Sequence, residues 1–387
     1  MISIQASVSK GWLHKFGGFN FDESYYMDPM YRFKIDQKIN SFLKERFPEY
    51  PIYNMEDNLV QAEFVKENQI LVGGLQPNLL LGVILGSHFV FYNDKDSDIS
   101  SKPLENVKNI SELPPVISLI SSPIIKKFTE QIIELKNKYP QYEIIPPFFW
   151  DSSGRATIHG IITTSHKLIG EEIFMLMVLD PDYVHFIHKW ITDAYIVLIN
   201  HFAKISGLNV TSIHIGECSS TMLSPEYWDT FVLPYINILG EEYKKIRLHS
   251  CGKSDFLINS FMKVTRLYSI DVGSGTSIKT IRSNFSNGIS TFPSPELLVK
   301  NDKKRVLSWV DEIITENNRG DLRISYHVEP DYILDNCLAI NDYLKEKYNI
   351  ALYGNKIKRD YDYTSSKNSR EQSNFTAKSD TSIKSKP

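Results

Sequence analysis

Cysteine is nearly absent, with three in 387 residues. That excludes a disulfide-stapled scaffold and fits a reducing compartment. Long apolar runs are missing as well. The longest, near Leu79–Leu85 and Ile173–Leu179, fall far short of the roughly 20 residues that span a bilayer. Met1–Gly18 has no continuous apolar stretch of signal-peptide length. Charge of one sign is not in excess either: the formal net charge is −3, which gives no electrostatic case for nucleic acid. No glycine-rich dinucleotide loop stands at a strand–helix turn. These absences describe a soluble, cytoplasmic protein with neither a membrane nor a nucleic-acid partner.

What is present is ordinary globular composition, 42% hydrophobic and 23% charged. A chain of this length can bury a large core without staples. It suggests two average domains or one large α/β barrel with additions. The end differs from the rest. Lys356–Pro387 carries eight Lys/Arg against four acids, leaving the other 355 residues at −7. Serine is frequent there and large aliphatics are almost absent, so this basic tail is expected to be disordered.

The second half alternates strand and helix with clear punctuation. Asp180-Pro181 opens a helix, a capping acid followed by proline at the first helical position. Val184, Ile187, Ile191, Ala194, Leu198 and Phe202 then fall on one face, and Gly207 ends the run. Ser224-Pro225-Glu226 and Ser294-Pro295-Glu296 open further helices. Strands are expected at Thr211–Ile215, Ile246–Leu248, Leu267–Ile270, Gly288–Ser290 and Leu322–Tyr326. Three earlier candidates are Ile52–Met55, His88–Tyr92 and Tyr142–Trp150. Strands alternating with helices imply parallel β/α units. Eight strands would close a (β/α)8 TIM-type barrel over residues 51–350, with residues 1–50 as an N-terminal cap. An open doubly wound sheet is the competing architecture.

In a β/α barrel the chemistry sits at the C-terminal ends of the strands. The inferred ends carry Glu217, His249-Ser250-Cys251-Gly252, Asp271, and His327 with Glu329. His249 and Cys251 are two apart, so in extended backbone they point to one face. Nitrogen plus sulfur is a pair suited to zinc. Candidates for a third ligand are His327, Glu217 and Cys337. Cys337 shares a helical face with Ile333, Ile340 and Leu344, which reads as a core stripe. His327 is favoured, because it sits at a strand end. Cys218, next to Glu217, reads as a free thiol.

With these residues in view, the chain resembles the uroporphyrinogen decarboxylase superfamily, on the side that holds the cobalamin-dependent methyltransferases. Leu248-His249-Ser250-Cys251-Gly252 resembles that branch's zinc-ligand motif. Glu217 through Glu226, with Pro234-Tyr235, resembles its acidic strand end and the helix after it. Gly160 through Asp182 resembles its central segment. Tyr326-His327-Val328-Glu329-Pro330, with Asn336, sits where the branch has its last strand and closing helix. The branch places a cysteine as third zinc ligand at the final strand end, and here Ser325–Glu329 contains none. The decarboxylases carry an arginine-rich N-terminal segment, whereas Met1–Tyr31 has no arginine.

The resemblance implies zinc as cofactor and methylcobalamin or another corrinoid as co-substrate. It implies methyl transfer to a small thiol, with a corrinoid protein as a possible partner. His249, Cys251 and His327 would be ligands. Glu217 and Asp271 would orient substrate or tune the metal. The alternatives are decarboxylation of a porphyrinogen-type polycarboxylate, with Arg155, Lys167 and Arg247 as basic groups and Asp151 or Asp271 as the acid, and a non-catalytic barrel whose metal site has decayed.

Overall fold

The computed structural model describes residues 1–50, 52–54, 68–107, 109–300 and 302–350. The chain divides into Met1–Leu352 and Tyr353–Pro387. The second unit, and with it the tail expected to be disordered, lies outside the described residues.

The first unit is built on one eight-stranded sheet. Its strands are β1 (Ile2–Val8), β2 (Ile52–Asn54), β3 (Arg155–His159), β4 (Ser212–Gly216), β5 (Ile246–Ser250), β6 (Leu267–Gly273), β7 (Gly288–Phe292) and β8 (Leu322–Val328). All pairings in it are parallel. The order is β2-β1-β8-β7-β6-β5-β4-β3. The last strand therefore lies beside the first, as in a curled β/α barrel. Among the described residues no ladder joins β2 to β3, so the barrel stays open along that seam.

The five strands expected after residue 210 are all in this sheet. Of the earlier three, only Ile52–Asn54 belongs to it, and Met55 lies outside the described residues. Within His88–Tyr92, Phe89–Val90 pairs antiparallel with Asp98–Ile99 instead. Within Tyr142–Trp150, Glu143–Ile145 pairs with Gln69–Leu71, away from the main sheet. Their places go to β3 and to β1, and β1 falls inside the stretch read as a cap. The physical reason is the pattern of those two strands. Ile2-Ser3-Ile4-Gln5-Ala6-Ser7-Val8 alternates and lacks a continuous apolar run, and β3 offers only Ala156 and Ile158 as apolar residues.

That alternation runs through the sheet and gives it two unlike faces. Ile4, Ala6, Val8, Ile213, Ile215, Leu248, Ile270, Val272, Ile324 and Val328 are buried on the helix-covered face. Their neighbours point to the other side: Arg155, Thr157 and His159 on β3, His214 on β4, Arg247 and His249 on β5, Asp271 on β6, Ser290 on β7, Arg323 and His327 on β8. The interior of an ordinary barrel is filled by branched apolar side chains. Here the inner face is polar.

The helices follow their punctuation. Asp180 accepts a hydrogen bond from the Tyr183 N–H and Gly207 closes Pro181–Ser206 in the left-handed region at φ 77°. The expected stripe from Val184 to Phe202 is fully buried. Cys337 is buried in the helix Leu334–Tyr348. Among the described residues no helix is long and apolar enough to cross a membrane.

Candidate metal centre

β4 and β5 are neighbours, with Gly216 opposite His249. The Glu217 N–H donates to the His249 carbonyl at 2.8 Å, which carries the pairing one residue past β4. The next residue, Cys218, starts a 3-10 turn, Cys218–Met222, beside the end of β5. Cys218, His249 and Cys251 thereby offer two sulfurs and one nitrogen, all within 4.8 Å of one another. Ligand atoms of a tetrahedral zinc, with Zn–S near 2.3 Å and Zn–N near 2.0–2.1 Å, sit roughly 3.5–3.8 Å apart. A contraction of about 1 Å at most brings the three to that spacing. The donor set is the sulfur–nitrogen mixture zinc prefers.

The loop after β5 is pinned from β6. The Ser254 N–H donates to Thr276 Oγ1 at 2.9 Å, and Thr276 Oγ1 donates to the Gly252 carbonyl at 3.2 Å. A Cβ on Gly273 would stand 2.0 Å from the Cys251 carbonyl oxygen. Only glycine lets the end of β6 approach the backbone that carries this thiol.

Asp271 backs His249 from β6. Its Oδ2 lies 3.0 Å from His249 Nδ1, an ion-pair distance away from the line of a straight hydrogen bond. The same oxygen accepts from Arg247 Nη2 at 3.2 Å. Burial works against the charge of each partner. Asp271 and Cys251 nevertheless raise His249 to about 9, and His249 and Arg247 lower Asp271 to about 2. A hydrogen bond from the Cys218 thiol, then His249, lowers Cys251 to about 4. Hydrogen bonding to Cys251, then burial, raises Cys218. The two sulfurs thus share one proton as a coupled pair. A thiolate beside an imidazolium is ready to exchange its protons for a cation.

Glu217 is placed differently from the expected catalytic role. It is fully buried and its carboxylate caps the helix Ile161–Ile169. It accepts from the N–H groups of Ile161, Ile162 and Thr163 and from Thr163 Oγ1. A carboxylate at a helix N-terminus meets free N–H groups and the positive end of the dipole. Gly160 makes room for it, since a Cβ there would stand 2.0 Å from Glu217 Cδ.

His327 does not join the cluster. It stands on β8, three strands from β5, about 14 Å along the sheet. Its side chain is 43% exposed and lies 3.5 Å from Glu329 Oε1. The sequence reading missed Cys218. Its signal was the adjacency of two strand ends, one closing in Glu217-Cys218 and the next in His249-Ser250-Cys251.

Residues 156–321 match the family model of uroporphyrinogen decarboxylase (URO-D). That stretch spans the strands from β3 to β7. A solved structure similar to this chain is a methyltransferase from Methanosarcina mazei, with a TM-score of 0.58 at 14% identity, covering 90% of this chain and 94% of that one. At that identity the likeness is one of fold. No curated protein matches the sequence.

Proposed function

We propose that this chain is a zinc-dependent methyltransferase that moves a methyl group between a methylcorrinoid and a small thiol. The observation that carries the reading is the convergence of Cys218, His249 and Cys251 at adjoining strand ends, with Asp271 behind the imidazole. Cys218 and Cys251 would hold zinc through Sγ, and His249 through Nε2, because Nδ1 faces Asp271. Zinc bound there supplies a positive charge that keeps an incoming thiol deprotonated near neutral pH. Cys218 takes the place of the cysteine missing from the last strand end.

The chain's own groups do the positioning. Asp271 fixes the ring and raises its basicity as a ligand. Glu217 ties the β4 strand end to the helix Ile161–Ile169 and so holds Cys218 at the cluster. Cys251 is exposed, which leaves the cluster open toward the strand-end rim where a free or protein-carried methylcorrinoid would dock.

Decarboxylation of a porphyrinogen-type polycarboxylate is favoured by the family match and by Arg155 and Arg247 on the inner face. Asp271 speaks against it as the acid, since His249 and Arg247 hold it at about 2. A non-catalytic barrel loses its main support once two sulfurs and a nitrogen converge. Metal quantification on protein purified without chelator, followed by demethylation of methylcobalamin with a panel of thiols, tests the proposal. About one zinc per chain and thiol-dependent turnover above the free-zinc background are expected. Stoichiometric zinc without turnover would leave the site and remove the reaction.

A further inference from the structure

We propose that Cys218 and Cys251 close into a reversible disulfide whenever no metal occupies the cluster, so that peroxide and small thiols switch the pair between a closed and an open form. Gly216 and His249 are Cα partners on β4 and β5. Two residues further along each chain stand Cys218 and Cys251. Neighbouring parallel strands run about 4.8 Å apart, inside the Cα separation of roughly 4.4–6.8 Å that a disulfide spans. Both chains leave their strands at this point, yet the two sulfurs stay within 4.8 Å of each other. The ladder below them fixes this pairing, and the Glu217 N–H extends it to the His249 carbonyl at 2.8 Å.

The two thiols are unequal. Cys251 is exposed and Cys218 is half-buried. An accessible thiol beside a histidine, with a second thiol poised to resolve it, is the arrangement of a redox-sensitive pair. Cys251 Sγ attacks hydrogen peroxide, the O–O bond breaks, and water leaves as Cys251 becomes a sulfenic acid. Cys218 Sγ then attacks the Cys251 sulfur. The S–S bond forms, the S–O bond breaks, and hydroxide departs as water with the Cys218 proton. Two thiols give up two electrons, and peroxide becomes two waters. A small thiol reverses the step by exchange. One molecule attacks the Cys251 sulfur and expels Cys218, and a second frees Cys251 and leaves with the first as their own disulfide. Cys337, buried in the helix Leu334–Tyr348, takes no part.

The consequence for metal rests on the reading of the cluster as a zinc centre. A disulfide carries no thiolate, so His249 alone of the three remains a ligand. Zinc in turn holds both thiolates and shields them from oxidation. The small thiol read as methyl acceptor belongs to the chemical class that reopens the site.

The test treats the full chain, reduced and stripped of metal, with one equivalent of hydrogen peroxide, with and without prior zinc. Without zinc, two of the three free thiols should disappear, the mass should drop by two hydrogens, and peptide mapping should link Cys218 to Cys251. A small thiol should restore both. Prior zinc should slow thiol loss about tenfold or more. Cys218→Ser should instead accumulate a Cys251 sulfenic acid that dimedone traps. Disulfides between chains, or irreversible oxidation of Cys251 with Cys218 still free, overturn the proposal. Should the variant fail to fold, the wild-type peptide map decides alone. Zinc uptake by the reduced chain keeps the two readings apart. The disulfide without zinc uptake removes the metal centre and keeps the pair, whereas zinc uptake without the disulfide removes the switch and keeps the metal centre.

Discussion

The two sides of the strand-end rim differ sharply. At β4–β5, three metal-ligating side chains converge, held by a buried carboxylate on each flank, Glu217 and Asp271. At β8, His327 stands 43% exposed beside Glu329. Both sides present plausible ligand types at a strand end, so strand-end position alone does not make a site. Adjacency makes it. Neighbouring parallel strands are about 4.8 Å apart, so their ends can share one ion directly, whereas a residue three strands away reaches the same ion only across the barrel mouth, and His327 Nε2 is turned to Glu329 instead.

The largest effect that could break this contrast is loss of the metal. Cys218→Ala or Cys251→Ala is expected to abolish stoichiometric zinc, because a structural or catalytic site needs at least three protein ligands. Metal analysis after dialysis reads it directly. Full zinc retention in Cys218→Ala would return the third ligand to another part of the rim.

Next comes the support under Cys218. Burial raises the Glu217 carboxyl to about 7, against hydrogen bonds from Thr163, Ile161 and Ile162 that lower it. The folded pKa thus exceeds the unfolded one, so the folded state binds this proton more tightly. The resulting stabilisation is complete below the unfolded pKa of about 4.3 and is lost as pH rises through about 7. The span corresponds to about 4 kcal/mol at most. Denaturant unfolding at pH 5 and pH 8 should show wild-type stability falling relative to Glu217→Gln. Parallel pH profiles for the two proteins would show that Glu217 titrates as an ordinary exposed carboxyl.

Asp271→Asn probes the other flank. Removing the charge behind a ligating imidazole typically weakens metal affinity about 10–100-fold. Competition with a chromogenic zinc chelator would measure it. Unchanged affinity would mean that the 3.0 Å approach to His249 Nδ1 is incidental to the metal.

Much of this was readable in the sequence, and the limits have physical causes. The strands from β4 onward announce themselves, because helices lie between them and those that start at Asp180-Pro181, Ser224-Pro225 and Ser294-Pro295 lead into β4, β5 and β8. β1 and β3 escaped because a polar inner face halves their apolar content. His249 and Cys251 were legible as a pair, since period two fixes their common face from sequence alone. Cys218 was not, because its place depends on the register between two strands, and no local pattern encodes that register.

The smallest expected effect sharpens the contrast most. His327→Ala should leave zinc stoichiometry unchanged and alter stability by no more than about 0.5 kcal/mol, the range for exposed positions away from caps and cores. Its imidazole is 43% exposed, its Glu329 contact is long at 3.5 Å, and exposed pairs of this kind contribute little. A histidine that served the cluster from β8 would instead show a zinc deficit equal to that of Cys218→Ala. Measured side by side under one dialysis protocol, the two variants decide between neighbouring strands and the final strand as the source of the third ligand. A deficit in His327→Ala with none in Cys218→Ala would place the third ligand on β8 and make the convergence of Cys218 with His249 and Cys251 incidental to the metal.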